Sequence, residues 1–326
     1  MSAPVIFSTH PLHPSVTDAL TALGDYRVAS APTPDAISEQ SAGARVIVVR
    51  APIPEDVVAR EDGLQAMVRH GAGLDMIPVA AATGRGILVA NVPGVNAVTV
   101  AEHAIWSAMA LLRRYPRVDK DLRLHGWTEA RAHSDHGREL SGKTIGIVGM
   151  GNVGTAVSRI ARHGFGMSVL YHTRRPDAVE EGIAAMSLDA LLAQSDVVVL
   201  CCPLTAETKG LIHAGRIAKM KPGAILINVA RGPVVVEKAL VEALCDGRLG
   251  GAAIDVFDRQ PLPHSHALLG LPNVILTPHM AGITEESMLR MGEGVVSEVE
   301  RILRGQLPKN LVNPDAVDLY RQRFGA

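Results

Sequence analysis

The amino-acid sequence predicts an α/β fold built on parallel sheets, and three observations lead to that prediction. Short runs rich in valine and isoleucine alternate with longer stretches rich in alanine and leucine along the whole chain. The short runs are apolar at nearly every position, as in strands that helices bury on both faces. The length of 326 residues suits two domains, at about 150 residues for each.

The predicted strands and helices follow one another in a regular order. The predicted strands are residues 45–49, 144–148, 196–200 and 224–227. The predicted helices are residues 14–24, 101–113, 152–163, 187–194, 234–245 and 284–304. The last of these combines apolar residues near helical spacing with an acidic first turn, which suits a helix N-terminus. Residues 127–142 show neither pattern and are predicted to form an irregular connection over the surface.

Composition and charge exclude several classes of protein. Lysine and arginine total 32, and aspartate and glutamate total 33, whereas nucleic-acid binders usually carry a basic surplus. No apolar run approaches the roughly 18 residues of a membrane span, and the N-terminus lacks the pattern of a secretory signal. From the charge balance and the absence of a long apolar run, we expect neither nucleic-acid nor membrane partners. Because Cys201, Cys202 and Cys245 are a poor disulfide framework, we expect a cytoplasmic protein. His264 and His266 are expected to be solvated loop residues, and no metal is predicted.

The sharpest motif is a glycine-rich loop between a predicted strand and a predicted helix. Gly149, Gly151 and Gly154 match the pattern G-x-G-x-x-G directly after the strand at 144–148. In such a loop the first glycine allows a tight turn, the second lets the backbone approach a pyrophosphate, and the third allows close packing of helix on strand. The following helix N-terminus attracts the anion. We therefore assign Gly149, Gly151, Asn152, Val153 and Gly154 to dinucleotide binding.

The residues after a further predicted strand, residues 167–171, bear on which dinucleotide is used. Enzymes that use NAD usually carry an acidic residue about 20 positions after the glycines, where it binds the ribose hydroxyls. Here His172 takes that position, and the first carboxylate after the glycines is Asp177. Arg174 and Arg175 could instead pair with a 2′-phosphate, and Thr173 could donate a hydrogen bond to it. The sequence therefore favours NADP, with NAD possible, and the alternative is a solvated basic loop.

Beyond this loop, the sequence resembles the D-isomer-specific 2-hydroxyacid dehydrogenase family over nearly its whole length. The matching segments are residues 69–75, 91–94, 100–103, 202–208, 228–232, 255–257 and 277–282, in the family's order. The resemblance implies two doubly wound parallel-sheet α/β domains. A Rossmann cofactor domain, residues 99–283, would be inserted in a flavodoxin-like substrate domain made of residues 1–98 and 284–326. It also implies a homodimer.

The resemblance assigns three catalytic positions. Arg231 would bind the substrate carboxylate and polarise the adjacent carbonyl, a role that suits its planar fork. His279 would be the general acid and base. The third position usually holds a glutamate in the family and here holds Gln260. Because a neutral amide can orient the histidine ring but supplies no charge, we expect His279 to lose its proton at a lower pH than in most members.

The same resemblance implies further binding residues. The expected substrate contacts are Arg50, Ala72, Gly73 and Asn96, together with Arg231. The expected cofactor contacts, besides the glycine loop and residues 172–175, are Cys202, Pro203, Thr208, Val229, Ala230, Asp255, His279 and Gly282. For Arg50, a surface ion pair is an equal alternative.

These residues together predict an oxidoreductase that exchanges a hydride between NADPH and a small 2-oxo acid, such as glyoxylate or hydroxypyruvate. A Gln–His pair also occurs in the formate dehydrogenase branch, which has a longer N-terminal region than this chain. A phosphoglycerate dehydrogenase would need a distal phosphate site, yet no second arginine closely follows Arg50. A dinucleotide-sensing corepressor is the alternative outside the enzymes.

Overall fold

The computed structural model describes residues 3–60, 63–174 and 183–325, and these residues form two units. Unit 1 combines the chain up to Asn96 with the chain from Thr284 onward, and unit 2 is Ala97–Ile283. The first boundary therefore falls at 96/97, where the sequence predicted 98/99, and the second at 283/284. No helix in the described part of the chain is long and apolar enough to cross a membrane.

Each unit is built on one parallel sheet. The strands are β1 (Val5–Ser8), β2 (Asp25–Val28), β3 (Val46–Val49), β4 (Ala66–Arg69), β5 (Leu88–Ala90), β6 (Thr144–Val148), β7 (Ser168–His172), β8 (Ala184–Ala185), β9 (Val197–Leu200), β10 (Ala224–Asn228), β11 (Leu249–Ile254) and β12 (Val274–Leu276). In unit 1 the order is β2-β1-β3-β4-β5, which is the flavodoxin-like order. In unit 2 the order is β12-β11-β10-β9-β6-β7-β8, which contains the Rossmann order. The predicted fold class is confirmed.

Helices alternate with these strands. They are α1 (Pro14–Leu23), α2 (Pro34–Gln40), α3 (Glu55–Arg60), α4 (Val79–Gly84), α5 (Ala97–Leu112), α6 (Tyr115–Leu124), α7 (Trp127–Ala132), α8 (Asn152–Arg159), α9 (Leu188–Gln194), α10 (Ala214–Ile217), α11 (Glu237–Cys245), α12 (Glu285–Leu303) and α13 (Val317–Phe324). The six predicted helices agree with these bounds to within four residues at each end. Where 152–163 was predicted as one helix, α8 continues as a π-helical turn at Ile160–Gly164.

The central strands are buried on both faces, as their continuous apolar runs predict. In β3, Val46 and Val48 pack into one core while Ile47 and Val49 pack into the other, because successive side chains point to opposite faces. β9 and β10 are likewise buried at every position. Polar side chains are therefore confined to the strand ends, and the carboxyl ends of parallel strands meet at a single edge.

The prediction of an irregular connection at residues 127–142 is wrong for their first half. Helix α7 and a 3-10 turn at His133–His136 occupy this segment. Gly126, with φ of +88°, precedes the helix, and Ala130 is buried. His133 Nε2 lies 2.6 Å from Asp121 Oδ2 on α6. These tertiary contacts stabilise a helix that is too short to be recognised from local periodicity.

Candidate functional site

The glycine-rich loop joins β6 to α8. Gly149 has a φ of +99°, and a Cβ atom there would lie 2.7 Å from the Cys202 backbone nitrogen. A Cβ atom on Gly154 would lie 2.2 Å from the Gly149 carbonyl oxygen. Both positions therefore require glycine for the backbone to pack. A Cβ atom on Gly151 would meet no atom within 4 Å, so open space lies beside this residue.

This open space fits the pyrophosphate of a dinucleotide. Gly151 is the N-cap of α8, and no side chain caps that helix. The backbone N–H groups of the first turn are thus left to bind an anion, which the helix dipole also attracts. Asn152 is exposed and Val153 is half-buried at the start of the helix. The motif predicts close backbone packing at Gly149 and Gly154 and open space beside Gly151, and the structure has all three features.

The end of β7 carries the residues predicted to distinguish NADP from NAD. His172 is half-buried, and its Nδ1 donates a hydrogen bond to a backbone carbonyl oxygen 3.0 Å away. Thr173 is half-buried and Arg174 is exposed. Arg174 Nη1 lies 3.8 Å from Glu207 Oε2, and these side chains are 65% and 69% exposed, so solvent weakens the ion pair. Arg175 lies outside the described residues.

The segment after β9 forms a turn at residues 203–208, and the Thr208 hydroxyl group stabilises it by two hydrogen bonds. Thr208 Oγ1 accepts a hydrogen bond from Thr205 N and donates one to the Pro203 carbonyl, each at 2.7 Å. Burial raises the pKa of the Cys201 and Cys202 thiols, which argues against a nucleophilic thiolate at either. The Thr208 hydroxyl thus has an internal role, and its contact with a cofactor stays a prediction.

Arg231 lies in a tight turn after β10, and the buried Asn228 amide holds that turn. Asn228 Oδ1 accepts from Ala230 N at 3.1 Å, and its Nδ2 donates to the Arg231 carbonyl at 3.0 Å. Arg231 is half-buried, and its Nη1 donates to the Ala230 carbonyl at 2.7 Å. A Cβ atom on Gly232 would lie 2.0 Å from the carbonyl carbon of Phe257, so only glycine fits after the arginine. The sequence motif contained Asn228, but its positioning role became apparent only from these bonds.

The buried Asp255 carboxylate anchors the loop that carries His279. Its Oδ1 accepts hydrogen bonds from Thr277 Oγ1 at 2.7 Å and from Met280 N at 2.8 Å. Its Oδ2 accepts from Ala281 N at 3.0 Å. The Asp255 backbone carbonyl accepts from His279 N at 2.8 Å. Asp255 therefore fixes the backbone on both sides of the histidine, and its contact with a cofactor stays a prediction.

His279 and Gln260 form a side-chain hydrogen bond, with 3.2 Å between His279 Nδ1 and Gln260 Oε1. Because an amide oxygen only accepts, Nδ1 carries the proton in this hydrogen bond. His279 is exposed and has a φ of +56°, which is rare for a residue with a side chain. The neighbouring Asp258 does not replace the usual glutamate. Burial and Glu237 raise the Asp258 pKa, and its backbone N–H donates to Glu237.

The expected cofactor and catalytic residues of unit 2 share one edge of its sheet. They follow the carboxyl ends of β6, β7, β9, β10, β11 and β12, and they include Val229 and Ala230 in the arginine turn and Gly282 after the histidine loop. In open parallel sheets this is the edge where ligands bind. The switch in strand order falls between β6 and β9, beside the glycine loop.

The expected substrate residues of unit 1 also lie at a carboxyl edge. Arg50 follows β3, its backbone N–H donates to Thr9 Oγ1 at 2.8 Å, and its Nη1 donates to the Pro11 carbonyl at 3.0 Å. Within the described residues Arg50 has no acidic partner, so the alternative of a surface ion pair is not observed. The Ala72 carbonyl accepts from Asn91 Nδ2 at 2.8 Å. Asn96, the last residue of this unit's first segment, is half-buried.

Arg69 and His70 belong to the same edge, although neither was assigned a role from the sequence. Arg69 Nε donates to the Gly73 carbonyl at 3.0 Å, and Arg69 Nη1 donates to the His70 carbonyl at 2.8 Å, so Arg69 stabilises the turn at residues 71–73, the glycine turn. His70 is 3% exposed. Burial, with Arg50 and Arg69 nearby, lowers the His70 pKa to about 4. Arg69 is the last residue of β4, and a charge at the end of a buried strand is the signal that could have identified it.

Comparison with known proteins places these features in a family. A model of the D-isomer specific 2-hydroxyacid dehydrogenase NAD binding domain matches residues 105–281. The chain is 41% identical to a glyoxylate reductase of Korarchaeum cryptofilum, over 86% of each protein. It is 37% identical to a D-3-phosphoglycerate dehydrogenase of Methanocaldococcus jannaschii, over 94% of this chain and 59% of that protein, so it spans about three fifths of that relative.

A solved structure shows the same architecture. It is an NADPH-dependent glyoxylate/hydroxypyruvate reductase from Sinorhizobium meliloti, in complex with NADP and malonate. It superposes with a TM-score of 0.85 at 29% sequence identity, and the match covers 97% of this chain and 98% of that one.

Proposed function

The chain belongs to the D-isomer-specific 2-hydroxyacid dehydrogenase family, and on that premise we propose that it exchanges a hydride between NADPH and a small 2-oxo acid such as glyoxylate or hydroxypyruvate. The observation that carries this proposal is that the glycine loop, Arg231 and His279 all follow carboxyl ends of strands at one edge of the unit 2 sheet. The bound dinucleotide would supply or accept the hydride. The chain's own residues supply the binding, the orientation and the proton.

Arg231 is the proposed carboxylate-binding residue. The Asn228 amide and the absence of a side chain on Gly232 fix the backbone from which the guanidinium extends. A planar guanidinium can bind a carboxylate through two parallel N–H donors while its charge polarises an adjacent carbonyl. We carry Arg50, Ala72, Gly73 and Asn96 forward as proposed substrate contacts of unit 1.

His279 is the proposed general acid and base. Its Nδ1 proton is held by the Gln260 oxygen, so a proton on Nε2 is the one available to the carbonyl oxygen during reduction. In the reverse direction the neutral Nε2 accepts the hydroxyl proton. The Asp255 carboxylate keeps the ring in place through its bonds to the surrounding backbone.

NADPH is the proposed cofactor rather than NADH. The end of β7 presents Thr173 and Arg174, and the position where NAD enzymes usually carry an acidic residue holds His172. The Arg174–Glu207 pair is exposed and long, so a phosphate could replace the carboxylate at little expense in free energy.

A reductive assay tests the proposal. We expect loss of NADPH absorbance with glyoxylate or hydroxypyruvate, and a kcat/KM for NADPH at least tenfold above that for NADH. Arg174→Ala should lower kcat/KM for NADPH by about 10- to 100-fold and leave that for NADH nearly unchanged, since a charge-assisted hydrogen bond contributes about 1.5–3 kcal/mol. Arg159→Ala, an exposed arginine at the end of α8, is the matched control. Preference for NADH would contradict the cofactor proposal, and no turnover on any 2-oxo acid would favour a dinucleotide-sensing role.

Formate oxidation is a second candidate, and the Gln260–His279 pair is the observation that favours it. Releasing carbon dioxide from formate requires no proton transfer to an alkoxide, so a carboxylate beside the histidine is not needed. Formate with NADP and with NAD therefore belongs in the same assay. Turnover on formate that exceeds turnover on every 2-oxo acid would replace the first proposal by the second.

We also propose that the chain forms a homodimer in the cytoplasm. Large apolar side chains on α5, α6 and α7 are exposed, namely Trp106 at 47%, Leu122 at 46%, Leu124 at 64% and Trp127 at 74%. These helices pack against one another, α5 on α6 and α6 on α7, and several exposed large apolar side chains on neighbouring helices favour an interface there. Light scattering after size exclusion should give twice the mass of 34.5 kDa, and Trp127→Glu with Leu124→Glu should give the single mass. All three cysteines are free, as suits a reducing compartment.

A further inference from the structure

A cavity of about 370 Å³ lies at the amino edge of the unit 2 sheet, opposite the edge that carries the glycine loop. Gly223 precedes β10, Gly250 lies near the start of β11, and Asn273 precedes β12. Leu111 and Leu112, at the end of α5, provide an apolar wall. None of the residues assigned above to catalysis or to dinucleotide binding lines this cavity.

Three arginines, Arg114, Arg117 and Arg138, line the cavity, and no described acidic side chain does. The other polar side chains in the lining are His136 and Asn273. Arg117 Nε donates to the Pro272 carbonyl at 3.2 Å, and Arg138 Nη2 donates to the Gly223 carbonyl at 2.8 Å. Each of these bonds uses one of five guanidinium donors and neutralises no charge.

The three arginines have no counter-ion among the described residues, although other arginines in the chain have one. Within the described residues, no ion pair involves Arg114, Arg117 or Arg138, whereas Arg123, on the same helix as Arg117, pairs with Asp119 at 3.0 Å. Three like charges around one cavity repel one another, and an anion placed between them would relieve that repulsion.

The backbone around the cavity adds to the positive potential. Arg114 is the N-cap of α6, which no side chain caps, so the positive end of this ten-residue helix lies at the cavity. Arg114 adopts the left-handed conformation, with φ of +56° and ψ of +25°. Most residues are destabilised in this conformation by contact of the Cβ atom with the following carbonyl oxygen, and glycine or asparagine tolerates it better. The position nevertheless holds an arginine, whose side chain lines the cavity.

We propose that this cavity binds a small organic polyanion that carries two or three carboxylate or phosphate groups. Three planar guanidinium groups from separate positions favour several anionic groups over a single charge, because each fork can bind one carboxylate or phosphate through two donors. A volume of about 370 Å³ lies at the small end of ligand sites. It therefore suits a small metabolite better than a second dinucleotide. The site is independent of the proposed reaction.

Calorimetric titration with citrate tests the proposal, with inorganic pyrophosphate as the phosphate probe and acetate as the single-charge probe. The background variant is Arg231→Gln with saturating NADP, so that the proposed substrate site binds anions more weakly and the proposed dinucleotide site is already occupied. We expect one citrate or pyrophosphate per chain and at least tenfold weaker binding of acetate. The stronger of the two polyanions identifies whether carboxylate or phosphate is preferred.

The decisive comparison is between two double variants with the same change of charge. Arg114→Gln with Arg117→Gln should weaken polyanion binding at least tenfold. Arg113→Gln with Arg131→Gln, which removes two exposed arginines outside the cavity, should change it less than twofold. Equal weakening in both pairs, or no binding in the background variant, would overturn the proposal. A crystal of the wild-type protein soaked in citrate provides a second measurement, and citrate must then lie between Arg117 and Arg138.

Discussion

The carboxyl edges of the two sheets hold their polar groups differently. In unit 2, Asp255 accepts hydrogen bonds at both oxygens, the Asn228 amide uses both its oxygen and its nitrogen, and His279 is paired with Gln260. In unit 1, the buried His70 Nε2 and His10 Nδ1 atoms have no hydrogen-bond partner within the described residues.

The two edges differ in how many of their polar atoms form hydrogen bonds within the protein. Groups that are bonded to one another are held at fixed positions, as a proton-transfer site requires. A buried polar atom without a partner is destabilising, and such atoms often mark a place that a water molecule or ligand completes. The edge of unit 2 is therefore preorganised for chemistry, whereas the edge of unit 1 has hydrogen-bonding capacity that the described protein atoms leave unused.

The largest expected effect tests the chemistry assigned to unit 2. His279→Asn should lower kcat by about 10³-fold with a small change in KM, because it removes the proton donor while keeping substrate binding. Asparagine tolerates the left-handed backbone that this position has, so the fold should survive. Steady-state kinetics with His264→Asn, an exposed loop histidine, as the control check this expectation. A loss confined to KM would remove His279 from its assigned role.

The second prediction tests whether the bonded network is rigid because of Asp255. Asp255→Asn should lower the free energy of unfolding by about 3 kcal/mol. The side-chain amide nitrogen would then face a backbone N–H group that donates a hydrogen bond to the carboxylate in the wild-type protein, so two donors would meet. Thr277→Val removes one bond to the same oxygen and should lower it by about 1 kcal/mol. Urea unfolding measures both values. Asp258→Asn, an exposed carboxylate, should change it by about 0.5 kcal/mol or less.

The third prediction concerns the unsatisfied edge of unit 1. The His70 pKa is about 4 in the folded chain and about 6.5 when unfolded, so the unfolded state binds more protons between these values. His70 should therefore add nothing to the pH dependence above about pH 7, and lowering the pH to 4 should reduce stability by up to about 3 kcal/mol. Unfolding measured from pH 7 to 4 should show this slope flattened in His70→Gln. An equal slope in both proteins would contradict the assignment.

The smallest expected effect tests the glutamine in the bonded pair. Gln260→Glu places a carboxylate beside His279 and should raise the histidine pKa by about one unit. Reduction requires the protonated ring, so its loss of activity at high pH should move to higher pH by the same amount. A pH profile of kcat/KM for carbonyl reduction measures this shift. Gln306→Glu, a change of equal charge on unit 1, should leave the profile in place.

Particular residues show how far sequence reasoning reaches. The strand–loop–helix geometry of the glycine loop was predictable, because the Gly154 contact with Gly149 lies within a short stretch of chain. The close approach of Gly149 to Cys202 became visible only once β9 was placed beside β6. Helix α7 was missed because its stability comes from burial and from the His133–Asp121 contact, which local periodicity does not reveal. The positioning role of Asn228 and the bracing of the glycine turn by Arg69 were likewise invisible, since each depends on which backbone carbonyls and N–H groups lie within hydrogen-bond distance.

The sequence by itself determined the parallel α/β architecture, the family resemblance and the identity of the Gln260–His279 pair, because apolar periodicity and short motifs are local properties of the chain. Only the tertiary structure decided that Asp255 holds the histidine loop, that His70 is buried near two arginines, and that one cavity is lined by three arginines with no ion pair in the described part of the chain. The physical reason is that hydrogen bonds, burial and electrostatic interactions depend on distance in space, and residues far apart in sequence reach those distances only when the strands and helices pack.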